Sequence, residues 1–164
     1  MAIHQKADCA GRWRVIMSKL FGPIPPTTKR LEWSDLVRPD LRLFFEVGLP
    51  SPLPYRSWLS NHLDDRQVLA KRREMAKSRA ELLEGRTHLD ALLLSPTSGF
   101  ALHFEAKALS DIDTHITYDS LRNQLARNID SMAAPASSSH CILGKRDPDR
   151  SFMVMLTPEL FRRN

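Results

Sequence analysis

Cysteine is scarce in this chain, and its two cysteines stand far apart. Cys9 and Cys141 belong neither to a CxxC pair nor to a compact group of cysteines and histidines. A structural zinc ion needs several such ligands at short spacings, and disulfides are rare in reducing compartments. The sequence therefore predicts two reduced thiols and no zinc site.

Long hydrophobic runs are absent as well. None reaches the roughly 18 residues that indicate a membrane-spanning helix, and the segment MAIHQKADCAGRWRVIMSKL lacks the apolar core of a secretory signal. We therefore expect a cytoplasmic protein that does not contact membranes. With 42% hydrophobic and 26% charged residues, the composition is that of a folded globular protein and not of a disordered one.

Acidic residues are outnumbered by basic ones. Lys and Arg total 24 against 19 Asp and Glu, which gives a formal net charge of +5 and a pI near 9.6. Excess positive charge favours a polyanion such as nucleic acid as a partner. Evenly spread charge would serve only solubility, so the excess supports a nucleic-acid partner without identifying one.

Proline divides the chain into two parts of different character. Residues 1–58 carry clustered prolines, among them Pro23, Pro26 and Pro50, which interrupt helices and central strands. We expect an N-terminal lobe of short pieces there, with residues 32–37 and 41–47 as helical turns or short strands. Residues 59–164 are predicted to form an α/β core, within what is overall one compact domain.

A helix is predicted over residues 60–85. Ser60 and Asn61 provide a start signal, Gly85 provides an end signal, and apolar residues recur between them at helical spacing. The helix also carries a basic cluster, which consists of Lys71, Arg72, Arg73 and Lys77. Such a cluster is either a solvated face or a surface that binds phosphates.

An antiparallel hairpin is predicted next, where the hydrophobic period changes from that of a helix to that of a strand. The segments THLDALLL (87–94) and FALHFEAK (100–107) flank the turn cluster SPTSG. Pairing outward from the turn sets opposite each other residues whose numbers add to about 195.

The remaining elements complete an α/β fold with a mixed central sheet flanked by helices. A second helix is predicted over residues 117–132, and a strand covered on both faces over 152–156; residues 140–143 are a candidate for a further short strand. The apolar stripe of the second helix is predicted to be Leu121, Leu125, Ile129 and Met132. The expected order from residue 60 is helix, strand, strand, helix, strand.

The hairpin is expected to bring acidic residues together. Alternate residues of a strand share a face, so Glu105 and Lys107 lie on one face, together with His103. Asp90, a lone carboxylate in an apolar strand, falls opposite Glu105 in the predicted register. Two carboxylates at such a short distance repel each other, and this repulsion favours a shared proton or a hard cation such as Mg²⁺. We expect His103 to be a hydrogen-bonded side chain and not a base.

Asp90 followed by Glu105-Ala106-Lys107 and then a helix resembles the PD-(D/E)XK superfamily of restriction-endonuclease-like nucleases. The resemblance covers about residues 81–156. It implies that Asp90 and Glu105 bind Mg²⁺, for which Mn²⁺ can substitute, with the backbone carbonyl of Ala106 as a further ligand. It also implies that Lys107 orients or activates the attacking water.

Two further site residues follow from the same resemblance. Gln124 occupies the place of a glutamine that many relatives have on the helix after the Glu-x-Lys strand. Relatives also often have a glutamate on the helix before the aspartate strand, and Glu81 is preferred for that place to Glu74 and Glu84. Leu89 stands where the family has proline. The family core also has another strand before the aspartate strand, which is either supplied by the proline-rich half or absent.

The function expected from the resemblance is metal-dependent hydrolysis of phosphodiester bonds, with DNA as the substrate and a homodimer as one arrangement. Mg²⁺ suits that reaction because it neutralises phosphate charge and lowers the pKa of a bound water. A non-catalytic nucleic-acid-binding module on the same fold is the alternative, and a protein-interaction domain is a third. The acids could also form only a surface contact with Lys107, worth under about 1 kcal/mol.

Overall fold

The computed structural model describes residues 8–64, Glu74, 83–106, 123–134 and 142–158. Its helices are α1 (Cys9–Phe21), α2 (Trp33–Leu36), α3 (Leu53–Asn61) and α4 (Gln124–Ala133), and its strands are β1 (Arg42–Leu49), β2 (Thr87–Ser95), β3 (Phe100–Ala106) and β4 (Ser151–Leu156). Two short 3-10 helices, Ile142–Lys145 and Pro148–Arg150, precede β4. None of the helices in these ranges is long and apolar enough to cross a membrane.

The four strands form one mixed sheet in the order β1-β2-β3-β4. β1 and β3 are antiparallel to β2, and β4 is parallel to β3. The predicted hairpin is confirmed: Ala91 pairs with Phe104 and Ser95 with Phe100, as a register sum of 195 requires. Gly99 closes the turn with a φ of 77°, a backbone conformation that glycine adopts without strain.

One face of the sheet packs against the N-terminal helices. Leu93, Phe100 and Leu102 contribute to a core cluster that includes Met17 of α1 and Trp33 of α2. Because Glu105 alternates with Leu102 and Phe104 along β3, its side chain points to the other face, where α4 lies. The α/β class and the mixed sheet flanked by helices are therefore confirmed.

The proline-rich half supplies β1 to this sheet. Arg42 pairs with Leu94 and Leu49 with Thr87, so β1 follows β2 over most of its length. The segment 32–37 contains the short helix α2, and the segment 41–47 belongs to a strand. The boundary between residues 58 and 59 falls inside α3.

Several predicted elements are wrong in position or environment. Ser60 and Asn61 do not start a helix but end α3; Glu74 is helical, and most of the remaining segment lies outside the described residues. The second helix starts at Gln124, not at residue 117, because the side chain of Asn123 caps it by accepting a hydrogen bond from the Ala126 N–H at 2.8 Å.

The last two strand predictions also need correction. The end of the segment 140–143 belongs to a 3-10 helix and not to a strand. β4 lies at the edge of the sheet, and Met155 and Leu156 are exposed. A continuous apolar run was taken to indicate cover on both faces, but only Phe152 of this strand is buried.

Candidate metal centre

Asp90 and Glu105 lie where the β2–β3 ladder ends. Ala91 and Phe104 are the last recorded pair, and the next position in the same register sets Asp90 against Glu105. There the Oδ2 atom of Asp90 accepts a hydrogen bond from the backbone N–H of Ala106 at 2.5 Å. The carboxylate therefore takes the place of a strand carbonyl and lies beside the Glu105-Ala106 peptide.

The two acids have different surroundings. Asp90 is exposed, although its position in an apolar strand suggested burial, whereas Glu105 is 2% exposed. The Oε2 atom of Glu105 accepts a hydrogen bond from the Nδ2 amide of Asn128 at 3.1 Å. Asn128 in turn accepts a hydrogen bond from the hydroxyl of Thr87 through its Oδ1 atom. One carboxylate thus faces solvent, and the other is held from inside the protein.

Glu46 adds a third carboxylate near this position. Its neighbours Phe45 and Val47 pair with Ala91 and Leu89, so Glu46 stands on β1 at the position that corresponds to Asp90 on β2. Its φ of 51° is unusual for a residue other than glycine and indicates local backbone strain. An acidic residue within an apolar strand was a signal for Glu46 in the sequence. It could not be used, because the segment 41–47 was not assigned clearly to a strand.

Gln124 of α4 reaches the same end of the sheet. Its Nε2 atom donates to the backbone carbonyl of His88 at 3.4 Å, a long hydrogen bond. The structure thus brings Asp90, Glu105, Ala106 and Gln124 to neighbouring positions on β2, β3 and α4. The other residues predicted for the site, Glu81, Lys107 and the basic cluster of Lys71, Arg72, Arg73 and Lys77, lie outside the described residues.

A buried ion pair anchors α4 beside the site. The Nε atom of Arg127 lies 3.0 Å from Glu84 Oε1, and the two side chains are 8% and 1% exposed. Ser51 donates a hydrogen bond to the other oxygen of the Glu84 carboxylate. Arg127 Nη2 also donates to the carbonyls of Gly85 and Arg86, at 3.0 and 3.2 Å. Glu84, which was set aside in favour of Glu81, therefore joins the segment before β2 to α4.

The face that α4 buries is polar, and the predicted apolar stripe is wrong. Arg127, Asn128 and Ser131 are its buried residues, whereas Ile129 is 43% exposed. These polar side chains recur at helical spacing after Gln124, and that pattern was the available signal. Their partners lie on distant segments, so the hydrogen bonds that make burial favourable cannot be recognised from the helix alone.

His103 lies two residues before Glu105 and is fully buried. The expectation of a hydrogen-bonded side chain is wrong within the described part of the chain, where neither ring nitrogen has a partner. Burial, with a smaller contribution from the charge of Arg146, lowers the pKa of His103 to about 3. The imidazole is therefore neutral at physiological pH.

No group of three or more His, Cys, Asp or Glu side chains within the described ranges is arranged to hold a metal ion. The residues that could contribute ligands are Asp90, Glu105 and the carbonyl of Ala106. Such a set fits Mg²⁺, which binds through one or two carboxylates and keeps several waters. Each carboxylate accepts a hydrogen bond, from the Ala106 N–H or from the Asn128 amide, and such contacts would orient it if it held an ion.

No family model, curated protein or solved structure matches the chain. The interpretation of the site therefore rests on its residues and their geometry.

A cleft of about 550 Å³ lies at the opposite end of the hairpin. Its charged residues are engaged in local contacts: Arg38 pairs with Asp35 at 3.4 Å, and Arg150 pairs with Asp147 at 3.1 Å. Asp40 accepts hydrogen bonds from Ser95 and Thr97. These side chains stabilise the turn region, and neither Asp90 nor Glu105 lines the cleft.

Proposed function

We propose that this chain is a metal-dependent nuclease of the PD-(D/E)XK type that hydrolyses phosphodiester bonds in DNA. The observation that carries the proposal is the position of Asp90 and Glu105 across the end of the β2–β3 ladder, with the Asp90 carboxylate on the N–H of Ala106. The predicted register agrees with the observed pairs from Ser95–Phe100 to Ala91–Phe104, and Asp90 and Glu105 are the next residues of the two strands.

The order of elements supports the same proposal. β1 from the proline-rich half would be the strand that the family has before the aspartate strand, and the described helices and strands, with α3 between β1 and β2 left out, then follow the order helix, strand, strand, strand, helix, strand. Gln124 on α4 contacts the strand that carries Asp90. These features are compatible with a restriction-endonuclease-like core, which remains part of the proposal.

In the proposed mechanism Asp90, Glu105 and the Ala106 carbonyl would hold Mg²⁺. The ion would neutralise the scissile phosphate and lower the pKa of a bound water. Lys107 would orient that water, and the basic residues Arg72 and Lys77 would contribute to phosphate binding, for which the net charge of +5 is favourable.

The test is incubation of the protein with labelled single- and double-stranded DNA and RNA, in Mg²⁺, Mn²⁺ or EDTA. We expect cleavage of DNA that requires the metal. Asp90→Asn, Glu105→Gln and Lys107→Ala should each reduce it by at least about a hundredfold, and pairs of these substitutions should not add, because the residues act as one unit.

Asp64→Asn is the matched control, since Asp64 is an exposed carboxylate outside the site, and it should cleave normally. Cleavage that persists in EDTA, or a Glu105→Gln protein with normal turnover, would contradict the proposal. Binding of DNA without cleavage under every metal condition would favour the non-catalytic module instead.

A further inference from the structure

Asn128 joins three segments through one buried amide. It is fully buried on α4, its Nδ2 donates to Glu105 Oε2 at 3.1 Å, and its Oδ1 accepts from the Thr87 hydroxyl. Thr87 begins β2 and is 2% exposed. The chain of contacts therefore runs from the strand of Asp90, through α4, to the strand of Glu105.

The orientation of this amide has one consistent solution. With Nδ2 toward Glu105, a donor faces the carboxylate and the Thr87 hydroxyl supplies the proton for Oδ1. The opposite orientation would place Oδ1 against the carboxylate, so that two acceptors would meet in a buried space. The Glu105 carboxylate therefore determines which atom of Asn128 faces it, and the Thr87 hydroxyl, which can donate or accept, donates to the remaining Oδ1.

The contacts of the neighbouring residue Arg127 hold in place the helix that carries the amide. Arg127, the preceding residue, forms the buried ion pair with Glu84 and donates to the carbonyls of Gly85 and Arg86. These contacts restrain α4 relative to the start of β2. The Asn128 amide is consequently held in place before any ligand binds, a condition for an ordered ligand set.

We propose that Asn128 is a positioning residue of the metal centre, which holds the Glu105 carboxylate in the orientation that accepts the ion, while its own Oδ1 is held by the Thr87 hydroxyl. This inference rests on the proposed function, because Glu105 must be a ligand. It assigns to Asn128 a role that neither composition nor the family resemblance assigned to it.

The test measures Mn²⁺ affinity, through the paramagnetic resonance signal of unbound Mn²⁺, in parallel with unfolding in urea without metal. Asn128→Ala should weaken Mn²⁺ binding by about ten- to a hundredfold. Thr87→Val, which keeps the shape and removes the hydroxyl, should weaken it less. Ser131→Ala is the matched control, because Ser131 is buried one turn further along α4 and donates to the Pro50 carbonyl instead.

The outcomes separate the two proposals. If the unsubstituted protein binds no Mn²⁺, or if Asp90→Asn binds it unchanged, the metal centre and this inference are both overturned. If the unsubstituted protein binds Mn²⁺ and Asn128→Ala binds it equally well, only this inference is overturned. Should Asn128→Ala fail to fold, Thr87→Val decides, and unchanged affinity in that variant overturns the inference. Equal losses of affinity in Ser131→Ala and Asn128→Ala would do the same.

Discussion

His103 is a polar side chain in an apolar place. It is fully buried on β3, and within the described residues neither ring nitrogen has a hydrogen-bond partner. A buried polar group without a partner costs about 1–3 kcal/mol. Burial keeps the imidazole ring neutral, but its two nitrogens have still lost their hydrogen bonds to water, which costs free energy.

We predict that His103→Leu leaves stability unchanged or raises the free energy of unfolding by up to about 2 kcal/mol, because it removes unpaired polar atoms at similar volume. Most substitutions at buried positions do the opposite. Urea unfolding followed by tryptophan fluorescence measures the change. His103→Gln, which retains polar atoms, is the control and should show no gain. A loss of more than about 2 kcal/mol in His103→Leu would mean that the imidazole has an essential partner.

Asp40 is a partly buried carboxylate whose hydrogen bonds connect the start of β1 to the hairpin turn. It accepts from Ser95 Oγ at 2.5 Å, and from the N–H and hydroxyl of Thr97 at 2.8 and 2.5 Å. Burial by itself would raise its pKa, but the donors outweigh it, and the net pKa is lowered from its ordinary value of 3.8.

The lowered pKa predicts the pH dependence of an Asp40 variant. A carboxylate with a depressed folded pKa stabilises the fold above its unfolded pKa, and this contribution is lost as the pH falls through the folded value. Asp40→Asn should therefore cost about 1 kcal/mol at pH 7 after allowance for partial exposure, and the difference should shrink below about pH 4. Thermal unfolding at several pH values tests this, and a constant difference would contradict it.

Register made the β2–β3 pairing predictable from the sequence as far as Ala91 and Phe104, and Asp90 and Glu105 are the next residues of the two strands. A five-residue turn cluster between two strands fixes which residues stand opposite each other, but the alternation of faces is interrupted at Asp90, since Leu89 and Leu92 lie in the same buried cluster. The partners of these acids were not predictable in the same way. Asn128 meets Glu105 across 23 positions, and that contact depends on how α4 packs, which local pattern does not specify.

At the scale of elements, α4 shows where periodicity misleads. Its apolar residues and its polar residues both recur at helical spacing, so the sequence supports two opposite choices of buried face. The structure buries the polar one because Glu84, Thr87 and Glu105 offer partners to it. The predicted start of this helix at residue 117 was wrong for a related reason. Asn123 is a strong cap, but the residues before it in the sequence continue the helical pattern.

The Glu84–Arg127 ion pair supports a prediction about α4. Removing one partner of a buried pair leaves an uncompensated charge, which costs about 3–5 kcal/mol. Arg127→Met should therefore destabilise the protein by that amount, and Glu84→Gln with Arg127→Met should recover part of the loss. A double-mutant cycle in urea measures the coupling. If the two single losses simply add, the pair does not anchor the helix.

At the scale of the whole molecule, the two parts of the sequence share one core. Met17, Trp33 and Leu36 from the N-terminal part pack with Phe100 and Phe152 from the C-terminal part. β1, also from the N-terminal part, covers the edge of β2. Proline clusters indicated where short elements lie, but they carry no information on the pairing of β1 with β2, whose partners are 38 to 52 positions apart.

This shared core leads to a prediction about fragments. Residues 59–164 alone would expose the apolar face of β2 and β3 and leave β2 as an unpaired edge, a state prone to aggregation. We expect this fragment to show no cooperative thermal transition and a poorly dispersed amide NMR spectrum, whereas the whole chain unfolds in one transition. Residues 1–58 and 59–164 produced together should reassociate, because the surfaces between them are those of a protein interior. A fragment 59–164 that gives a well-dispersed spectrum by itself would show that the sheet forms without β1, and the contacts of Met17 and Trp33 would then contribute far less to the fold than their burial implies.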